Sequence, residues 1–470
     1  MRKYLAVLLG VIFILSLSVT AYAIHEPDQP QETVISAGGS KITLGGKIIS
    51  RGWYDHNVGI VETDSGDYLL PVESNSEAIY FTNVYLMVDA KITDNVQAYV
   101  ELETAAGDTS DTSGVYYWGS LDSKPNSRVV IRQAWMQYTG SGLLGMPAGV
   151  KLGHTLITLG EKIWFDTSRF GTDGILVWVD PMKELHLVLH TLKLNEGSVS
   201  PGTISHSDDL DAYGIVGSYM LDKDNTLGMH FTWVKSDVAG EDPEELNIYN
   251  FAVHGNGKIA GLSYAAEADF QFGKIKMTTE EDMKFKGWGA IAKLGYMLDP
   301  VNIRASFAYG SGDSDAEDND IKEFQTVVTT PGDGTGPVAR FAHYTSIYER
   351  LIKTAAHNQV LTGNELGTGI ANTTFYNLGF DIKPLKELSI SLDGYLLRAS
   401  KTDLWEAETG ESVNKNIGWE IDTKISYKLA KNLTYFIEAG VFKPNDFYQD
   451  AFDISEKTTT MAVHGLSLTF

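Results

Sequence analysis

The chain of 470 residues carries 61 acidic and 37 basic side chains, which gives a formal net charge of -24 at pH 7. This acidity excludes the class of nucleic-acid-binding proteins, because those proteins need basic patches that neutralise phosphates. The chain has 0 cysteines, so disulfides, thiolate metal sites and cysteine nucleophiles are excluded too.

The first segment of the chain is predicted to be a secretory signal peptide. Basic residues precede an apolar run over 5–19, and a small-residue cleavage site ends at Ala23. The run is too short for a helix that spans a bilayer. We therefore expect export, with residues 1–23 as the signal peptide and residues 24–40 as a polar periplasmic linker.

Beyond the linker, apolar and polar residues alternate in segments joined by connections that are alternately long and short. In the segment 258–272, Leu262 and Phe270 fall on one face and Glu267 and Asp269 on the other. The predicted strands cover residues 41–54, 78–91, 96–103, 128–139, 148–159, 174–180, 184–193, 209–221, 226–236, 245–254, 258–272, 285–297, 301–310, 373–383, 388–398, 416–429, 433–442 and 459–470.

This pattern predicts an all-β fold, a transmembrane antiparallel β-barrel of about 18 strands over residues 41–470, with long extracellular loops and short periplasmic turns. The closing segment, 459–470, should pair with the first strand and leave no open edge. Asn256 and Gly257 predict a type I′ hairpin turn. A soluble β-sandwich is the alternative, but its core would bury charged residues without partners. The pattern leaves undecided which face Arg132 and His154 occupy.

The polar faces of the predicted strands supply candidates for the residues that line a pore. Because a shift of one residue exchanges the two faces, each assignment depends on the strand register. The pore-lining candidates are Lys47, Arg51, Glu101, Glu267, Asp269, Lys293, Arg304, Asp381, Lys383, Asp393, Glu420, Asp422, Lys424 and Glu438.

The longest connection, 311–372, contains a segment with helical spacing of apolar residues, and Ser346 and Glu349 fit a capping box at its start. A helix this short needs a surface to pack against. We expect it to fold into the barrel and narrow the pore, with Glu349, Arg350 and Lys353 near the solute path. A helix that lies over the outer mouth is the alternative.

Two further groups of residues carry side chains that can bind metal ions, but only the first is a candidate site. An acidic run in the long connection is a weak candidate for binding divalent cations that bridge to lipopolysaccharide phosphates, and a solvated loop is the alternative. His186 and His190 share a strand face about 13 Å apart, too far for one metal ion. The residues of the acidic run are Asp313, Asp315, Glu317, Asp318 and Asp320.

Four stretches of the sequence resemble the alginate-export porin family. The first three are similar to its terminal hairpin, and residues 310–324 are similar to its acidic loop. The three read Gly418-Trp419-Glu420-Ile421-Asp422, Tyr427-Lys428-Leu429-Ala430-Lys431-Asn432-Leu433 and Phe442-Lys443-Pro444-Asn445-Asp446-Phe447. The resemblance implies an eighteen-stranded outer-membrane barrel whose strongly basic lumen conducts an anionic polysaccharide. The pore-lining candidates here mix both signs of charge, which weakens the field that a polyanion needs.

These observations predict an outer-membrane porin for passive diffusion of small hydrophilic or charged solutes, including an exported anionic saccharide. Two alternatives are a barrel that sheathes a partner protein such as a cytochrome, and an outer-membrane enzyme. No spacing of Ser, His and Asp singles out a catalytic site, so we expect no catalytic residues and no cofactor. The expected contacts are outer-membrane lipid, lipopolysaccharide and small solutes, and the sequence does not specify an oligomeric state.

Overall fold

The computed structural model describes residues 33–37, 40–63, 66–106, 116–119, 127–142, 145–195, 209–237, 245–278, 280–315, 317–328, 344–361 and 368–470. The predicted signal peptide and much of the predicted linker lie outside these residues. Within the linker, Thr33–Ala37 is a strand, and it pairs antiparallel with the segment that begins at Ser40. The linker therefore contributes one short strand to the sheet.

The wall of the molecule is a closed barrel of 18 antiparallel strands. They are β1 (Ser40–His56), β2 (Glu77–Lys91), β3 (Val96–Ala106), β4 (Ser127–Gly140), β5 (Ala148–Thr155), β6 (Thr172–Met182), β7 (Leu185–Asn195), β8 (Leu210–Met220), β9 (Thr226–Asp237), β10 (Glu245–Ile259), β11 (Leu262–Lys276), β12 (Trp288–Leu298), β13 (Val301–Gly310), β14 (Thr373–Ile382), β15 (Leu388–Ala399), β16 (Asn416–Ala430), β17 (Leu433–Pro444) and β18 (Thr459–Thr469). The prediction of the barrel is confirmed.

The barrel closes where β18 pairs with β1, with Lys47 opposite Thr469. The main chains of Phe470 and Gly46 exchange two hydrogen bonds of 2.8 and 2.9 Å at this seam. Closure pairs the first strand with the last, so neither presents an unpaired edge. Connections at one end are short, such as 183–184, and those at the other end include the long segments 156–171 and 311–372.

Side chains alternate between the two sides of the wall, and the polarity is inverted relative to a soluble protein. Phe270 and Leu396 are 51% and 60% exposed on the outside, whereas Glu267 and Asp269 are 3% and 0% exposed on the inside. Apolar side chains outside and polar side chains inside are what a hydrocarbon solvent requires of a barrel.

An aromatic row crosses four neighbouring strands on the outer face. Tyr213, Trp233, Tyr249 and Phe272 lie on β8, β9, β10 and β11, and successive ring centroids are 5.5, 5.9 and 5.2 Å apart. Cross-strand aromatic pairs stabilise a sheet, and Trp and Tyr favour the boundary between lipid and water. The row is therefore placed as an interfacial girdle would be.

The predicted turn at Asn256 and Gly257 is wrong. Both residues continue the ladder of β10, and the chain reverses at Ala260 and Gly261, whose φ angles are +50° and +87°. Gly257 is small for another reason, since a Cβ there would lie 2.1 Å from Oδ1 of Asn225. The glycine accommodates a neighbouring turn.

Several predicted boundaries need correction. The strand predicted over 148–159 ends at Thr155, because Ile157 and Leu159 turn inward and are buried. Lys383 is not in the wall, since β14 ends at Ile382 and Lys383 is exposed in the following turn. The next residue is Pro384, which has no N–H to donate to a ladder.

Among the described residues, three short helices lie in the long connections: α1 (Tyr348–Leu351), α2 (Asp403–Thr409) and α3 (Phe447–Phe452). The predicted capping box is wrong, because α1 has Ile347 as its N-cap and no side-chain capping bond. The amides at its start are instead bound by carboxylates of the wall. Across the described ranges, none of the helices has the length and apolar character needed to cross a bilayer.

Candidate functional site

Two long connections fold into the barrel and contact each other there. The first inner loop is 156–171, and the second inner loop is the described part of 311–372. Phe165 and Asp166 of the first pair in parallel with Val327 and Val328 of the second. Trp164 and Phe165 are fully buried, as are Phe324 and Tyr348 of the second loop. Apolar burial therefore holds the two loops together inside a polar wall.

The second inner loop is attached to β16 through two carboxylates. Oδ2 of Asp422 accepts a hydrogen bond of 3.0 Å from the amide of Ser346. The carboxylate of Glu420 accepts bonds of 2.7 and 2.9 Å from the amides of Ile347 and Tyr348. Hydrogen bonds to a charged acceptor are stronger than neutral ones. These three bonds replace the side-chain cap that α1 lacks.

A second attachment of this loop lies on β17 and β1. Nη1 of Arg350 is 3.4 Å from Oε2 of Glu438, and the guanidinium lies 4.8 Å from the ring centroid of Trp53. Lys424 of β16 also reaches Glu438, at 3.7 Å. The pore-lining candidate Glu438 is thus compensated by two cations.

The second inner loop also contacts the wall at β11. Gln271 donates to the carbonyl of Gln325 and accepts from its amide, both at 2.8 Å. The wall runs seven strand steps from β11 to β18 and one more to β1. Contacts at β11 and at β1 are therefore eight steps apart in a closed ring of 18 strands, which is close to opposite sides.

Glu323 joins the two arms of the second inner loop. Its carboxylate accepts hydrogen bonds from the amide of His357 at 3.0 Å and from Nε2 of Gln359 at 2.7 Å. Burial raises the pKa of Glu323 to about 7, although the hydrogen bonds and Lys353 oppose the shift. The contact between the two arms of the second inner loop therefore depends on the protonation state of Glu323.

The other predicted constriction residues are buried in the same region. Glu349 is fully buried, and its main-chain amide donates to Oγ1 of Thr345 at 2.9 Å. Lys353 donates from Nζ to the carbonyl of Ala356 at 2.7 Å, and lies over the rings of Tyr68 and Trp405.

A second buried carboxylate pair lies on β11, beneath the first inner loop. Oε1 of Glu267 is 3.1 Å from Nε2 of His230, and Oδ1 of Asp269 is 4.0 Å from the same nitrogen. The amide of Glu161 donates to Oε2 of Glu267, and Glu161 itself binds Lys293 at 2.8 Å. Sequence reasoning missed His230, although His230 alternates on β9 with the apolar Met229 and Phe231.

The remaining charged candidates are mostly paired. Arg304 binds Asp381 at 2.7 Å and Asp393 at 2.9 Å. Lys47 is buried, and Arg51 lies 5.2 Å from the ring centroid of Phe81. The mixed signs expected from the sequence thus occur as neighbouring charges, which reduces the long-range field of the lumen.

The structure also places the two residues whose face the sequence left undecided. Arg132 is buried in the interior and binds Glu101 at 2.9 Å. A register shift at Glu101 brings both Arg132 and Gln133 inward, which hides the alternation. His154 is partly exposed and lies 3.1 Å from Asp173 at the loop end of β5.

The acids of the run 313–320 point to several different partners. Asp313 is buried and accepts from the amide of Lys322 at 3.0 Å, and burial raises its pKa. Asp318 binds Lys322 at 2.5 Å, and Asp320 binds Lys286. Within the described part of the chain these acids form no group of three converging ligands. Cation binding by this run stays a prediction.

Comparison with solved structures supports the barrel assignment. OccK2 (OpdF) of Pseudomonas aeruginosa is 11% identical, with a TM-score of 0.54, and 91% of this chain and 97% of that chain are covered. The structure of the same protein in complex with glucuronate is 12% identical, with a TM-score of 0.52, and 91% of this chain and 98% of that chain are covered. A BenF-like porin from Pseudomonas fluorescens Pf-5 is 11% identical, with a TM-score of 0.52, and 91% of this chain and 98% of that chain are covered. At these identities the likeness shows the fold alone.

A search of curated proteins finds no significant match. The sequence profile of the alginate export family, by contrast, matches residues 69–330. This range covers more than half of the 470 residues of the chain. Fold and family together identify an outer-membrane channel, and the protein belongs to the alginate export family.

Proposed function

We propose that the protein is a narrow passive channel for small hydrophilic solutes, and that the second inner loop sets its width. The observation that carries this proposal is the set of bonds from three loop amides to Glu420 and Asp422 on β16. A loop fixed to the inner wall reduces the cross-section of a barrel of this size.

Hydrogen bonds, an ion pair and apolar burial together hold the second inner loop in the barrel. Each hydrogen bond to a charged group contributes about 1.5–3 kcal/mol. Ordering the backbone of the one-turn helix costs roughly 1–2 kcal/mol of entropy per residue. The three hydrogen bonds and the ion pair of Arg350 offset this cost only together with apolar burial. Ile347, Leu351 and Ile352 supply that burial, since all three are at most 1% exposed. In this proposal the partly exposed Arg350 borders the path. Glu349 and Lys353, which the sequence also placed near the path, are buried behind it.

The proposed solutes are small, and sugar acids are included among them. A long polyanion needs a continuous positive field, whereas Arg304 and Arg350 are each held by carboxylates here. A small solute can instead replace part of its hydration shell by contacts with one neighbouring pair of charged side chains at a time. The similar structure of OccK2 (OpdF) contains glucuronate, a monomeric sugar acid, which supports this size class.

The sheath alternative is disfavoured by the same contacts. A partner that threads the barrel would have to displace the second inner loop, which reaches from Gln271 on β11 to Trp53 on β1. Purification of the protein with a stoichiometric partner that protects the barrel interior would reverse this preference.

Planar-bilayer recording tests the proposal. In a tenfold KCl gradient, purified protein should give discrete ohmic steps and a reversal potential well short of the ideal value for either ion, because the lumen charges are paired. Swelling of proteoliposomes should be faster in glucuronate than in an alginate oligomer of ten units. Failure to conduct, or swelling that is equal in both solutes, would overturn the proposal.

A further inference from the structure

Three ligand-bearing side chains converge on the inner wall at β9 and β11. The ligand atoms of His230, Glu267 and Asp269 all lie within 4.8 Å of one another, and all three side chains are buried. In a tetrahedral zinc site with bonds of about 2.0–2.2 Å, neighbouring ligand atoms are roughly 3.4 Å apart. The distances of 3.1 and 4.0 Å from Nε2 of His230 to the two carboxylates bracket this value.

The strand register explains how side chains two strands apart meet. His230 on β9 is opposite Ala252 on β10, and Ala252 is opposite Asp269 on β11. Two interstrand spacings amount to about 9.6 Å between the outer Cα atoms. The side chain between them is a single methyl group, and Ala252 is 0% exposed. The imidazole and the carboxylates therefore reach each other over the alanine.

The charge of the cluster is not balanced by the protein. Over the described residues, His230 is the only basic side chain that forms an ion pair with Glu267 or Asp269, so two carboxylates share one imidazole. Burying an anion without a compensating charge is strongly unfavourable. A divalent cation between these three groups would remove that penalty.

Two atoms of the cluster are buried without a hydrogen-bond partner: Oδ2 of Asp269 and Nδ1 of His230. Buried polar atoms rarely lack a partner, so Oδ2 of Asp269 points to a missing ligand. Nδ1 of His230 is not part of this evidence, because Nε2 is the ring nitrogen that faces the carboxylates. By contrast, Oδ1 of Asp269 accepts from Asn250 at 2.7 Å, and Glu267 accepts from the amide of Glu161. Bonds of this kind orient carboxylates around a metal ion.

The donor set selects a class of metal ion. Imidazole nitrogen with carboxylate oxygens suits borderline divalent ions such as Zn²⁺, whereas Ca²⁺ and Mg²⁺ prefer oxygen alone. A further imidazole, His254, has its ring centroid 6.1 Å from that of His230, and its Nε2 is also buried without a partner. His254 is therefore in position to contribute a fourth ligand after a side-chain rotation.

We propose that His230, Glu267 and Asp269 bind one borderline divalent transition-metal ion on the inner wall, with His254 as the fourth donor. The site is independent of the attachment of the second inner loop to β16. The metal links β9, β10 and β11 and lies directly under Glu161 of the first inner loop.

Calorimetric titration of Zn²⁺ into detergent-solubilised protein, first treated with chelator, tests the proposal. The wild type should bind one Zn²⁺ per chain, and millimolar Mg²⁺ should not compete. His230→Ala and Asp269→Asn should each weaken binding at least about 100-fold, because removal of a direct ligand should cost no less than the upper range found for the residues that orient ligands. His254→Ala should weaken it less.

The matched control is His186→Ala. His186 lies 2.6 Å from Asp180, so this pair also offers an imidazole and a carboxylate, but it is half exposed and remote in sequence from β9. The control should bind Zn²⁺ as the wild type does. Single-channel recording of each variant shows that its barrel is folded. Absence of saturable Zn²⁺ binding in the wild type, or unchanged affinity in folded His230→Ala protein, would overturn the proposal.

Discussion

Two carboxylate pairs on the inner wall have the same spacing but different neighbours. Glu267 and Asp269 on β11, like Glu420 and Asp422 on β16, are separated by one residue and are at most 4% exposed. The β16 pair accepts three main-chain N–H groups of the second inner loop. The β11 pair faces His230 and one main-chain N–H group.

The difference shows that the neighbours, and not the acidic motif, decide the role of each pair. Main-chain amides can satisfy carboxylates only if a segment of chain stays docked, so the β16 pair acts as an anchor. An imidazole between two carboxylates leaves a negative surplus in a site with little water, so the β11 pair is suited to a cation. Variants of the two pairs should therefore fail in different assays.

The largest expected effect comes from neutralising each carboxylate pair in its own double variant and comparing the conductance and Zn²⁺ affinity of the two variants. Glu420→Gln with Asp422→Asn weakens three charge-assisted bonds, and a loss of about 1.4 kcal/mol or more raises the undocked population of the loop at least tenfold. Single-channel records should show frequent high-conductance events and unchanged Zn²⁺ affinity.

The control is Glu267→Gln with Asp269→Asn. This variant should lose Zn²⁺ binding and show far fewer high-conductance events than the β16 variant, because the bonds of the second inner loop to Glu420 and Asp422 stay intact. If both double variants changed conductance equally, the distinction between anchor and cation site would be wrong.

A smaller effect is expected from single cations beside each region. Arg350→Gln removes a positive charge next to Glu438, so the reversal potential in a KCl gradient should shift by several millivolts toward cation selectivity. Lys293→Gln, which removes the partner of Glu161 on the β11 side, is the comparison. A shift toward anions with Arg350→Gln would contradict the placement of Arg350 near the path.

The smallest effect is a pH dependence of loop docking through Glu323. Its pKa rises from 4.5 in solvent to about 7 when the loop is docked and Glu323 is buried. Between pH 4.5 and 7 the docked loop therefore binds more protons than the undocked loop. Docking stability from this group is present below pH 4.5 and is lost as the pH rises through 7. High-conductance events should become more frequent from pH 6.5 to 8.

Burial lowers the pKa of His357 despite its ion pair with Glu408, which moves its titration away from this pH range. Lys353 is a neighbouring cation that opposes the rise of the Glu323 pKa. Glu323→Gln should remove the dependence. An equal slope in that variant would show that another group is responsible.

The wall was predictable from the sequence because alternation with a period of two is a local signal. Leu262, Phe270, Glu267 and Asp269 occupy the predicted faces. The same signal failed at Arg132, where an extra residue interrupts the period. It also failed at Gly257, because a glycine required by close packing resembles a glycine required by a turn.

The interior was less predictable, since its contacts join residues far apart in the chain. The amide of Ile347 meets Glu420, 73 positions away, and no local pattern encodes that pairing. The apolar residues Ile163, Trp164 and Phe165 in a long connection were an available signal that the first loop is buried. His230 was detectable only by following alternation along β9 and β10 together.

The central claim is that the second inner loop narrows a conducting barrel. The most direct test is the single-channel conductance of a variant with residues 341–357 deleted, measured beside the wild type in the same lipid and salt. The account predicts discrete channels of severalfold higher conductance, because the deletion removes α1 and its attachment to Glu420 and Asp422. Folded channels with the conductance of the wild type would contradict it.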